Sequence, residues 1–293
     1  MTDMSTDRDD QEGIELWPLI ESYCADVDRE LAARQNAWPP DFAQIHVHEV
    51  ISGMLAREAT GAKDVARAPA PWTGHSAPIL LRAMADAYIN MAWLLLDPVE
   101  RCRKFILFGL GQAKLELEHR RAQIGTREPT LQEAAMLEAG ERWIDSQRIS
   151  GLLDVDIGKW SSLSVRQMAD EAGCIDFYNY VYTPFSACAH SMWHHVARYD
   201  LRQCGNPLHR HHRRPTSEPL PPDPHYLTLA AKYWSKTLDT FDRTLGLTIP
   251  GPSSYETLID AGTDESADPQ PTDAGGAQLL RRQHAQSLGT ITT

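Results

Sequence analysis

A chain of 293 residues, 42% hydrophobic and 23% charged, can bury a sizeable core and has the composition of a water-soluble globular protein. Its formal net charge of -12 repels nucleic acid and anionic lipid at long range, so any nucleic-acid contact must rest on a local basic patch. The five cysteines (Cys24, Cys102, Cys174, Cys188, Cys204) are odd in number, widely spaced and free of any C-x-x-C pair. They argue against a disulfide framework and a cysteine zinc knuckle, and they fit a reducing, cytoplasmic setting.

The N-terminal MTDMSTDRDDQEG is polar and acidic, unlike a signal or transit peptide, and residues 1–11 are expected to be disordered. Helical spacing begins near residue 12, with Ile14, Leu16, Trp17, Leu19, Ile20, Tyr23, Cys24, Val27 and Leu31 on one face. Pro39 and Pro40 open a second helix to about residue 60, and 60–75 read as a loop. Ser76 then caps an apolar helix, PILLRAMADAYINMAWLLLD, over 78–97. Its length suits a membrane span, but Arg82, Asp86 and Asn90 occupy its middle. A central Arg or Asp costs about 2.5–3.5 kcal/mol on insertion, which makes this a buried helix with a polar stripe and no membrane span.

Asp97-Pro98 caps the next helix, which becomes strongly charged toward residue 123. Thr130-x-x-Glu133 and Ser164-x-x-Gln167 are capping boxes that open two more, the second stopped by Gly173. Thr183-Pro184 should start a helix running to about Arg202, in which YTPFSACAHSMWHHVARYD sets three histidines within six positions. Residues 204–224 read as a basic, proline-rich loop, Asp223-Pro224 caps a last long helix, and from 249 onward the composition predicts a disordered tail. No segment alternates as a strand does. The expectation is an all-α, multi-helix bundle: one helical domain over 12–248 with disordered tails.

Two stripes carry the chemistry. Arg82, Asp86 and Asn90 repeat at i, i+4, i+8, as do Ser186, His190 and His194, each within an otherwise apolar helix. Buried charges need partners, so the stripes are expected to face each other, with Asp86 or Asn90 reaching His190. His190 and His194 could also share an ion with Asp86, Asp200 or His46 and His48, but the H-E-x-x-H pattern is absent and no metal is expected. No phosphate loop, dinucleotide fingerprint or EF-hand is present, and no cofactor is expected. Of the eight tryptophans, Trp72, Trp93, Trp143, Trp160, Trp193 and Trp234 are expected to anchor packing.

The run RAMADAYINMAWLLLDPVERCRKF, then W-x3-S-V-R-Q-M-A at Trp160 to Ala169, then Y-x3-S-x3-H at Tyr182 to His190, resembles domain-of-unknown-function family 5677 of bacteria over roughly 45–205. The resemblance makes Arg82, Asp86, Asn90, Tyr182, Ser186 and His190 the signature positions. The helical layout of that family is similar to HEPN-type bundles, many of which are ribonucleases of toxin and phage-defence systems with sites shared across a homodimer. The resemblance thus implies a metal-independent ribonuclease, with His190 as acid/base and Arg82 as phosphate clamp. This chain departs from the HEPN Arg-x4-6-His pattern, since its one match, Arg202-x6-His209, is interrupted by Gly205-Asn206-Pro207. The basic run HRHHRRP offers Arg210, Arg213 and Arg214 as the RNA-contacting patch. The alternative is a non-enzymatic helical module that binds a partner protein or ligand, with both stripes structural. Exposure of His190 is what separates the two.

Overall fold

The structure, a computed structural model, describes residues 6–147 and 161–261, with side chains from Leu16 onward. It is helical throughout except for one two-stranded hairpin, as an all-α bundle requires. The disordered segment expected at 1–11 lies outside the described residues over 1–5, and α1 runs Thr6–Ala37. The chain divides into two compact units, one built from residues up to 39, 54–89 and 175 onward, the other from 40–53 and 90–174. Helices α2 (Ile45–Ala66) and α3 (Ala77–Leu94) contribute to both.

In the first unit, α10 (His225–Leu245) is the most clearly amphipathic element. Leu227, Ala230, Ala231, Trp234, Leu238 and Phe241 fall at helical spacing and are buried, joined in the core by Ile20 and Val27 of α1 and Leu81 of α3. Each large side chain buried here contributes about 1.5–3 kcal/mol. The carboxylate of Glu30 ties three elements. It accepts from Trp234 Nε1 at 2.8 Å and from the Ser254 amide at 2.9 Å, the latter in α11 (Ser254–Ala261). Beside it, Arg34 grips Asp242 with Nε at 3.1 Å and Nη2 at 2.6 Å. Where a disordered tail is expected from 249, residues Ser254–Ala261 are therefore helical. Polar composition hides Leu258 and Ser254, which pack α11 against α1 and α10, while 262–293 lie outside the described residues.

In the second unit, α4 (Pro98–Ile124) and α5 (Leu131–Asp145) form a helical hairpin. Pro98 sits at the first turn of α4, and Gly125 turns the chain at φ 63°. Thr130 and Glu133 make both bonds of the expected capping box, as do Ser164 and Gln167 at α6 (Val165–Glu171), with Gly173 in the left-handed region beyond. Leu117 of α4 sits over Gly140 of α5, where a Cβ would meet Leu117 Cδ2 at 2.7 Å. Trp93 donates to Glu171 at 2.7 Å beneath the Arg101 guanidinium, 3.7 Å from the ring centroid. Among the tryptophans, Trp72 and Trp234 are buried anchors, but Trp143 and Trp193 are exposed, and Trp160 lies outside the described residues.

The single histidine helix expected over 183–202 does not form. Helix continues through α7 (Ile175–Phe177), a π-helical stretch Tyr178–Tyr182 and α8 (Thr183–Ala189) before breaking, and α9 spans Trp193–Tyr199. Pro184 is thus inside a helix rather than at its start. It has no N–H, and its ring would clash with the carbonyl of residue 180, so the turn ahead of it widens to π geometry. The amide of Ser191 returns to Cys188 O at 3.1 Å and that of Met192 to Ala187 O at 2.9 Å, with Ser191 left-handed at φ 49°. That is a Schellman closure, and it ends α8 at His190. After α9, strands β1 (Leu201–Gln203) and β2 (Arg213–Pro215) pair antiparallel, turning part of the expected loop into a hairpin. The register is Leu201 with Pro215, Arg202 with Arg214 and Gln203 with Arg213. Strands of three residues are too short for an alternating pattern to be read from sequence.

Candidate functional site

Helix α3 carries Arg82 and Asp86 one turn apart, and Tyr182 and Ser186 repeat that spacing across the π stretch and α8. The four meet. Arg82 Nε donates to Ser186 Oγ at 2.7 Å, Nη1 to Asp86 Oδ2 at 2.5 Å, and Nη2 to the Tyr182 hydroxyl. The guanidinium carbon lies 3.4 Å from the Tyr182 ring centroid, and Tyr178 stacks on Tyr182 at 4.9 Å. Ser186 Oγ donates in turn to the Tyr182 carbonyl at 2.8 Å. Every nitrogen of the guanidinium is engaged, and the Arg82 side chain is only 14% exposed. Burial, with the Asp86 charge adding to it, raises the Tyr182 hydroxyl above the ordinary tyrosine pKa, while Arg82 opposes the shift.

The two remaining signature positions stand apart from this quartet. Asn90, two turns along α3 from Arg82, makes no side-chain hydrogen bond to a described residue. His190 caps the C-terminus of α8 and is exposed, and its side chain makes no hydrogen bond or ion pair with a described residue. The expected contact from Asp86 or Asn90 to His190 is therefore not made. The break at Ser191 also separates His190 from His194 in α9, so the two never share one helical face.

The third histidine, His195, has a different job. Its Nε2 meets the Gly74 carbonyl at 2.9 Å, and the Cys188 thiol donates to the His75 carbonyl at 3.2 Å. His75 packs edge-on against Tyr199, ring centroids 5.6 Å apart, with its Nδ1 3.9 Å from Asp200. Burial, reinforced by Asp200, pushes the Cys188 thiol up, toward the protonated form that donates to the His75 carbonyl. Sequence reasoning missed this clasp on the loop before α3. Its signal was Gly74, where a Cβ would lie 2.5 Å from Tyr199 Cε1.

The basic stretch is exposed. From Leu201 to Ser217 there are four arginines, three histidines and no carboxylate. Arg202 pairs with Glu218, and Arg213 Nη1 donates to the Ala197 carbonyl at 3.3 Å. Arg210 and Arg214 have no carboxylate partner among the described residues. Leu208 on this stretch, and Tyr180 and Trp193 in the helical segments before it, are 89%, 79% and 71% exposed. Cys204, His209 and His212 form the cluster of metal-type donors found among the described residues. No helix among those residues is long and apolar enough to cross a membrane.

No curated protein and no solved structure matches this chain. The model of a family of unknown function, DUF5677, matches residues 48–205, more than half of the sequence and the segment that holds the Arg82 quartet, and the chain belongs to that family.

Proposed function

We propose that the chain is a non-enzymatic helical module that binds single-stranded nucleic acid, RNA in the first instance, through the 201–215 hairpin. The observation that carries the reading is the pair of exposed arginines without carboxylate partners among the described residues, Arg210 and Arg214, within a 17-residue stretch free of acids. Such a stretch attracts phosphate locally even though the whole chain carries a charge of -12. Exposed Trp193 and Tyr180 supply stacking faces, which a single strand offers bases to and a duplex does not.

In this reading the Arg82 quartet is a structural clasp between α3 and the α7–α8 segment. A ribonuclease would need Arg82 free to stabilise phosphate charge and His190 within reach of the same phosphate. His190 is exposed, as the enzymatic alternative requires, but its side chain stands outside the network, and Arg82 is committed to Asp86, Ser186 and Tyr182. The test is anisotropy of labelled mixed-sequence single-stranded RNA at low salt, followed by a gel of the same RNA after incubation. Binding that weakens in Arg210→Ala/Arg214→Ala, with the RNA left intact, is expected. Cleavage lost in His190→Ala would overturn the non-enzymatic reading, and equal binding by the arginine variant would overturn the surface.

A further inference from the structure

The hairpin tip holds a set of groups that neither the quartet nor phosphate binding uses. Cys204 Sγ and one ring nitrogen each of His209 and His212 lie within 4.8 Å of one another. We propose that these three side chains bind a divalent transition ion of the zinc class.

The backbone explains why residues separated as C-x4-H-x2-H converge. The Cys204 amide donates to the His212 carbonyl at 3.0 Å, which extends the β1–β2 ladder by one pair and sets these two residues opposite each other. Two successive turns close the loop between them. The His209 amide returns to Asn206 O at 3.0 Å, and the His212 amide returns to His209 O at 3.0 Å. Asn206 Oδ1 accepts from the Leu208 amide at 3.0 Å and fixes the first turn. His209 is thereby folded back over the neck of the hairpin, its Nδ1 3.7 Å from Cys204 Sγ and its ring 5.5 Å from that of His212.

The geometry is close to a bound one. Ligands at about 2.3 Å for sulfur and 2.0–2.1 Å for nitrogen on a tetrahedral ion stand roughly 3.3–3.6 Å from each other. The three atoms need to close by about 1.5 Å at most, which side-chain rotation supplies on an exposed hairpin. One thiolate with two imidazoles is a borderline-soft set that favours zinc over calcium or magnesium. Binding releases the thiol proton, and the fourth position stays open to water or another donor. Arg210, Arg213 and Arg214 oppose the ion's charge, and the single thiolate offsets one unit of it, so the site is weaker than an all-cysteine one. Its effect is to hold the tip shut. The inference stands on these side chains alone and does not depend on RNA binding.

The experiment is titration of the full chain, stripped with EDTA and kept reduced, with Co2+ as a spectroscopic probe and Zn2+ as competitor. One equivalent of Co2+ should bring the visible bands of a tetrahedral ion together with a thiolate-to-cobalt charge-transfer band, and Zn2+ should displace both. Cys204→Ser should abolish the charge-transfer band, and His209→Ala and His212→Ala should each weaken binding at least tenfold. All three positions are on the hairpin surface, so far-UV circular dichroism should not change. His194→Ala should leave the titration as it is. Absence of the charge-transfer band in the wild type overturns the proposal, and so does a band that persists in Cys204→Ser.

Discussion

Replacing Arg82 with alanine separates a clasp from an active site. The substitution removes hydrogen bonds to Ser186, Asp86 and Tyr182 at once. Hydrogen bonds to a charged group contribute about 1.5–3 kcal/mol each, and breaking a buried ion pair costs about 3–5 kcal/mol. Two features reduce that cost here. The Asp86 side chain is 39% exposed and recovers water, and Ser186 keeps its bond to the Tyr182 carbonyl. The net loss is therefore about 2–4 kcal/mol, or a drop of about 5–15 °C in Tm for a chain of this size. His190→Ala, at an exposed residue whose side chain makes no hydrogen bond to the described residues, should stay within about 0.5 kcal/mol of wild type. Thermal unfolding followed by circular dichroism reads both, and RNA anisotropy below the transition reads function. A stable Arg82→Ala that has lost RNA binding or processing would refute the clasp and return Arg82 to the ligand.

Three further perturbations probe the same unit. Glu58 is fully buried, and burial pushes its carboxyl well above the ordinary range, with Arg57 and the Tyr88 backbone opposing in part. The folded state therefore holds this proton where the unfolded chain releases it. Its contribution is complete below the ordinary carboxyl pKa and is lost as pH rises toward the raised one, by up to about 1.4 kcal/mol per pH unit. Glu58→Gln should remove that slope from urea denaturation measured across pH, and superimposable profiles would contradict the assignment. Ser191→Gly should stabilise by about 0.5–1 kcal/mol, since glycine adopts the left-handed angle without Cβ strain; a destabilised variant would argue against the Schellman closure. Gly74→Ala should cost about 1–3 kcal/mol because its Cβ meets the Tyr199 ring at 2.5 Å, and a neutral result in the melt would show that the ring can move aside.

How far the sequence reaches is clearest around residues 178–215. Arg82, Asp86 and Ser186 could be set on facing stripes from spacing, because helical periodicity sets a face and a buried arginine demands partners, whereas Tyr182 entered only through the family resemblance. His190 has the right spacing too, yet one left-handed serine ends the helix there, and no composition rule places such an angle on a serine. The π stretch ahead of Pro184 escapes for a similar reason, since Thr-Pro reads equally well as a helix start. Helix α11 was hidden by its polar neighbours, and only the carboxylate of Glu30, more than 200 residues earlier, reveals what holds it. The hairpin strands are three residues each, too short to carry a period. The C-x4-H-x2-H spacing was visible all along, but it acquires meaning only from the two turns that fold His209 back.

The most direct test of the nucleic-acid reading is the salt dependence of single-stranded RNA binding by wild type and Arg210→Ala/Arg214→Ala. Each phosphate contact contributes about 0.7 to the slope of log K against log salt on a single strand. Loss of two contacts should make the slope shallower by about 1.4, with weaker binding at every salt concentration. An unchanged slope and affinity in the double variant, or no binding by the wild type even at low salt, would contradict the account.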